Sequence, residues 1–136
     1  MGDRIRAFLA LELPRAAVRL AGAVIGGLRD RLGDDDVKWV RPQNLHVTLR
    51  FFGDILPAEV EGISERVRAY PERLSAVATA WRALGAFPSE RRPQVLWLGL
   101  ADPQEALVRL ASEVTRDLEE TGFGRPDKPF RAHVTL

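Results

Sequence analysis

Cysteine is absent from this 136-residue chain, which excludes disulfides, iron–sulfur clusters and thiolate zinc sites and makes a cytoplasmic location the expectation. No run of about 18 apolar residues occurs, so no segment reads as a membrane-spanning helix. The opening, MGDRIRAFLALEL, has charges where a secretory signal would have a long apolar region. Gly2 follows Met1, but Arg6 stands where a myristoylation signal wants Ser or Thr. Charge of one sign is not in excess either. A net charge of +1 leaves no global field to draw the chain onto nucleic acid or membrane, so any basic patch must be local. Histidine is scarce: the chain has two, His46 and His133.

What is present is ordinary for one soluble domain, with 46% apolar and 29% charged residues. Strand and helix patterns alternate. Ile5, Ala7, Leu9, Leu11 and Leu13 recur at period two and predict a strand. Pro14 suits a first helical turn, and Leu20, Val24, Ile25, Leu28 and Leu32 carry helical spacing up to Gly33. VKWV and LHVTLRFF predict strands, and Val60, Ile63, Val67 and Tyr70 a helix ending before Pro71. RLSAVATAWRALGAF reads mainly as strand and QVLWLGL as a buried strand. Leu107, Leu110, Val114 and Leu118 mark a third helix closed by Gly122, and PFRAHVTL begins a last strand.

The order repeats. FLALELPRAAVRLAGAV and LWLGLADPQEALVRLASEV each run from an apolar strand through proline into a helix containing VRLA. Pro14 precedes His46 by 32 positions and Pro103 precedes His133 by 30. Each half thus reads strand, proline, helix, loop, HVTL strand, with halves at about 4–88 and 93–136 of one domain. The first HVTL is followed by RFFGD, a helix and an apolar strand, whereas the second closes the chain at Leu136. A strand cut there would leave neighbouring ladder groups unpaired. The expectation is that the natural polypeptide continues and that part of one lobe is missing.

In a strand, alternate residues share a face. His46 and Thr48 therefore point one way and Val47 and Leu49 the other, and His133 and Thr135 are likewise set against Val134 and Leu136. A pseudo-twofold between the halves would converge two imidazoles and two hydroxyls on one cleft. That set suits metal-free phosphoryl chemistry. A neutral imidazole takes a proton from the attacking water or hydroxyl, and a protonated one supplies the departing oxygen. Threonine hydroxyls can donate to non-bridging phosphate oxygens. Arg50 and Arg131 lie an even number of residues from their histidines and are candidates to meet phosphate charge.

With RAFLALELP, VKWVRPQNLHVTLRFFGDI, LGAFPSERRPQVLWLGL and RPDKPFRAHVTL, the chain resembles the 2H phosphoesterases. Within them it is most similar to the LigT-like RNA 2′,3′-cyclic phosphodiesterases, also called 2′-5′ RNA ligases. The resemblance implies an α+β fold of two lobes, with antiparallel sheets facing a central cleft and helices outside. It implies hydrolysis of a terminal 2′,3′-cyclic phosphate to a 2′-phosphate, one of His46 and His133 activating water and the other protonating the 3′ oxygen. Thr48 and Thr135 would hold the phosphate. The reverse reaction would join a cyclic-phosphate end to a 5′-hydroxyl. Which histidine is the acid stays open. The expected partners are RNA ends or nucleotides bearing the cyclic phosphate, with no cofactor, no metal, no membrane, no obligate protein partner and a monomeric state. Rival readings are a phosphodiesterase of small cyclic or 2′-5′-linked nucleotides and a non-catalytic RNA- or nucleotide-binding module.

Remaining features carry less. The DDD run at 34–36 reads as a solvated turn before it reads as a metal site. RPDK with Arg131, and SERRP with Arg91 and Arg92, could rim an RNA site or simply be solvated loops. Trp39, Trp81 and Trp97 read as core before base-stacking platforms, and so does Phe8. Gly26 and Gly27 sit inside a helical pattern, which argues against a phosphate-cradling loop.

Overall fold

A computed structural model describes residues 3–33, 37–70, 80–102, 105–123 and 130–136. Along the chain these form β1 (Ile5–Glu12), α1 (Arg15–Leu32), β2 (His46–Ile55), α2 (Pro57–Val67), β3 (Ala80–Pro88), β4 (Pro93–Ala101), α3 (Ala106–Glu120) and β5 (His133–Thr135). A short 3₁₀ turn, Pro42–Asn44, leads into β2. The class is α+β, as expected. Among the described residues the strands join in one five-stranded sheet, ordered β1-β2-β5-β4-β3, where two sheets were expected. The pairs β2–β5, β5–β4 and β4–β3 are antiparallel.

Two compact units divide the chain, each assembled from three segments. The first comprises Met1–Leu9, Thr48–Thr79 and Asp102–Arg131, the second Ala10–Val47, Ala80–Ala101 and Ala132–Leu136. The cuts fall inside β1 and β2, so the units are interleaved in sequence and do not follow the two halves read from the repeat.

In the first unit α3 buries Leu107, Leu110, Ala111, Val114 and Leu118, the stripe its spacing predicts. The Asp102 carboxylate accepts from the backbone N–H groups of Leu107 and Val108, both at 3.1 Å, satisfying donors that the first turn leaves open. At α2 the Glu59 carboxylate accepts from the Leu56 N–H at 3.2 Å. The two helices are tied by Asp117, which takes both Arg66 Nε contacts at 3.0 and 2.9 Å and the Tyr70 hydroxyl proton. That pairing holds the Arg66 guanidinium above its ordinary basicity, first through the hydrogen bonds and then through charge.

In the second unit α1 buries Ala21 and Ile25, while Leu20 and Leu32, read from spacing as part of the apolar face, are about half exposed. The buried stripe is centred on Ala21 and Ile25, one turn apart, which turns the Leu20 side toward solvent. Gly33 closes the helix at a φ of 77°, its N–H bonding the Arg29 carbonyl at 2.7 Å, a conformation glycine adopts without strain. VKWV, expected as a strand, is not one. The Trp39 indole N–H instead donates to the Gly33 carbonyl at 3.3 Å, holding the segment to the end of α1. The Val40 N–H still reaches the Leu136 carbonyl at 3.0 Å, and the Leu136 N–H bonds the Leu96 carbonyl at 2.9 Å. Leu136 is therefore paired on both sides. Gly26 and Gly27 lie within α1, in line with their reading as helix.

Candidate active site

Both histidines belong to the second unit. β2 and β5 pair with Val47 opposite Val134, and both valines are buried, at 3% and 0% exposure. Side chains directly opposed in an antiparallel pair share a face, and those of the neighbours along each strand point to the other. With the valines on the core side, His46 and Thr135 stand opposite one another on the other side, together with His133. All three are partly buried. The pleat alone predicts His46 and His133 on the outer face of their own strands. It is the register that makes it one face.

The His46 ring is held by the turn that precedes it. Pro42 opens the 3₁₀ turn, Asn44 N–H bonds the Arg41 carbonyl at 2.8 Å and Leu45 N–H the Pro42 carbonyl at 3.2 Å. The Asn44 carbonyl is thereby turned toward the strand, where it lies 2.7 Å from His46 Nδ1. A carbonyl oxygen only accepts, so Nδ1 carries the proton and Nε2 is the nitrogen left for proton exchange.

The His133 ring has aromatic neighbours. Phe87 of β3 lies 5.2 Å from it, centroid to centroid and nearly perpendicular at 87°, and Trp97 of β4 lies 6.2 Å away at 71°. Phe87 and Trp97 stack on each other at 5.1 Å. Trp97 pairs with Thr135, and Gly99 with His133, across β4 and β5, so the indole stands on the histidine face.

Thr48, Arg50 and Arg131 belong to the first unit. Strand alternation keeps Thr48 on the His46 side of β2, partly buried. Arg50, read as a phosphate partner, is only 3% exposed. Its Nη2 donates to the Phe123 carbonyl at 2.8 Å, and its guanidinium carbon lies 5.0 Å from the centroid of the Phe52 ring. Burial lowers its basicity, against the opposing field of Glu119. Its interactions are those of an internal anchor. Arg131 is exposed.

Asp34 to Asp36 and the RPDK segment lie outside the described residues, and Arg91 and Arg92 are exposed. Among the described residues no three His, Asp or Glu side chains are grouped to hold a metal ion. Trp39, Trp81 and Trp97 are all partly buried, and Phe8, read as core, is 48% exposed beside Phe51. Reading the sequence missed the Asn44 carbonyl and the ring contacts of Phe87 and Trp97. The first has no side-chain signature. The second has a signal in Gly85, Trp97 and Gly99, which flank one another once β3 and β4 are aligned.

Residues 11–97, well over half of the chain, match the family described as LigT like Phosphoesterase. The chain is 36% identical over 100 residues to an RNA 2′,3′-cyclic phosphodiesterase of Aquifex aeolicus, covering 73% of this chain and 53% of the relative. It is 38% identical over 112 residues to the protein of the same name from Archaeoglobus fulgidus, covering 80% and 60%. The chain thus spans little more than half the length of these relatives. Its fold is similar to that of E. coli LigT complexed with 3′-AMP, with a TM-score of 0.67, 26% identity, and 98% of this chain and 72% of that one covered.

Proposed function

The chain belongs to the LigT-like phosphoesterase family, and from that premise we propose that it hydrolyses RNA 2′,3′-cyclic phosphate ends through His46 and His133. The observation that carries the reading is the pairing of β2 and β5 at Val47 and Val134, which brings both imidazoles to one face of adjoining strands. The names of the relatives and the nucleotide in the LigT complex support the substrate class.

In this reading one neutral imidazole takes a proton from water as the water oxygen bonds to phosphorus. The bond from phosphorus to the 3′ oxygen breaks, and the other imidazole, protonated, gives that oxygen its proton. A 2′-phosphate end and a free 3′-hydroxyl result. Thr48 and Thr135 donate to the non-bridging oxygens as charge gathers on them. Arg131, exposed and two residues before His133, is the proposed phosphate partner, whereas Arg50 serves the interior of the first unit. With a 5′-hydroxyl in place of water the same step breaks the bond to the 3′ oxygen and forms a 2′-5′ linkage.

The test uses the full-length protein, an RNA ending in 2′,3′-cyclic phosphate, and EDTA. Turnover that persists with EDTA and is lost in both His46→Ala and His133→Ala supports the proposal, and wild-type rates in either variant end it. A bell-shaped dependence of kcat/KM on pH is expected of an acid–base pair, and a profile flat between about pH 5 and 8 would count against it. Running 2′,3′-cyclic AMP beside the RNA separates an RNA-end enzyme from one specific for mononucleotides.

A further inference from the structure

We infer that Trp97 is a positioning residue, seated on Gly85 and Gly99 so that with Phe87 it holds the His133 imidazole in one orientation. The inference rests on the acid–base reading above and concerns how one member of the pair is kept in place.

The seat comes from register. β3 and β4 align Gly85 with Trp97, and β4 and β5 align Trp97 with Thr135 and Gly99 with His133. Across four strands one row on the histidine face therefore reads His46, Thr135, Trp97, Gly85. A Cβ placed on Gly85 would fall 2.3 Å from Trp97 Cζ2, 2.6 Å from Cη2 and 2.7 Å from Cε2. On Gly99 it would fall 3.1 Å from Cζ3. The benzene part of the indole thus lies down along the sheet, over the first glycine and toward the second. A side chain at position 85 would push it off.

Packing alone gives little reason to choose tryptophan here. The indole nitrogen is buried with no hydrogen-bond partner among the described residues. Burying an unsatisfied donor costs about 1–3 kcal/mol, and phenylalanine would fill an apolar seat without that cost. What the larger ring adds is reach. Lying flat, it supports Phe87 by stacking and still comes within 6.2 Å of the imidazole centroid.

Histidine needs such help because its χ2 is a broad, soft torsion. Phe87 and Trp97, stacked on each other, present themselves to one side of the imidazole with their planes steeply inclined to it, and an imidazole that turns about χ2 gives up those edge contacts. Proton transfer is sensitive to that angle, because a misplaced ring nitrogen loses its line to the reacting oxygen. At His46 the equivalent task falls to the Asn44 carbonyl.

The experiment takes the full-length protein through Trp97→Leu, Trp97→Phe and Gly85→Val. Each is measured for thermal unfolding, for kcat and KM on the cyclic-phosphate RNA, and for the imidazole ¹⁵N signals of both histidines. Trp97→Leu is expected to lower kcat on the order of 10- to 100-fold with KM little changed, and to shift the His133 signals while those of His46 stay put. Trp97→Phe, which fills the seat without the reach of the indole, recovers only part of kcat, and Gly85→Val repeats the Leu result with the tryptophan still present. A folded Trp97→Leu protein with wild-type kcat, or with lowered kcat and unmoved His133 signals, overturns the inference. So does a loss confined to KM, which would make Trp97 a substrate contact. If the Trp97 and Gly85 variants fail to fold, Phe87→Leu is read by the same criteria. Should His133→Ala itself keep wild-type turnover, the acid–base reading falls, while the His133 signals still report whether Trp97 sets the ring.

Discussion

The two HVTL copies have the same four residues, the same pleat and buried valines facing one another, yet the contacts described for their histidines differ in kind. His46 is set by hydrogen bonding, to a backbone carbonyl two residues upstream in a turn that proline initiates. His133 stands against rings from two other strands, Phe87 and Trp97. Duplication can account for the shared word. It does not account for the supports, which arise from what each copy met on its flanks. The polar support leaves Nε2 of His46 as the exchanging nitrogen through a definite tautomer, whereas the aromatic one acts on ring direction. The lesson is that a symmetric motif need not have symmetric surroundings, and that each half can be perturbed alone.

The strongest way to break the comparison removes the rings themselves. His46→Ala and His133→Ala should each lower kcat by about 10²–10⁴-fold, measured on cyclic-phosphate RNA. A large effect in one and none in the other would mean that the copies are not partners in one reaction. Next in size are Thr48→Val and Thr135→Val, each expected to cost about 10- to 100-fold in kcat/KM, as for a lost hydrogen bond to a charged group. Equal losses would show that both hydroxyls meet the phosphate.

A smaller effect sharpens the difference in support. Pro42→Gly loosens the turn that presents the Asn44 carbonyl and should lower kcat on the order of tenfold, moving the ¹⁵N signals of His46 and sparing those of His133. That is the mirror image of Trp97→Leu. Signals that move together in both variants would merge the two supports into one. The smallest change serves as a control in the unit that holds neither histidine. Tyr70, 9% exposed, donates to Asp117, so Tyr70→Phe should cost about 1 kcal/mol of stability in urea unfolding and leave kcat unchanged. A fall in kcat would show that the first unit's interior reaches the chemistry.

Much of the fold is legible in the amino-acid pattern. The stripe Leu107, Leu110, Val114 and Leu118 is buried as its spacing requires, because a helical face is set by neighbours three and four residues away. VKWV is not a strand, since propensity says nothing of Trp39 bonding the Gly33 carbonyl. The burial alternation of β2 breaks at Arg50, which is buried beside Leu49 while Phe51 is exposed; its engagement with the Phe123 carbonyl joins residues far apart in the chain, and no local rule reports it. Trp97 reads as a packing residue for want of the register that lays it on Gly85.

By itself the sequence determined the residue types available for catalysis, their duplication and the side of each strand on which they stand, all consequences of a pleat with period two. Only the tertiary structure decided that the two sides are one, that Asn44 turns a carbonyl to His46 and that Trp97 lies down beside His133. Those depend on which strands pair and in what register, and that choice is made by backbone hydrogen bonds and burial summed over segments distant in sequence.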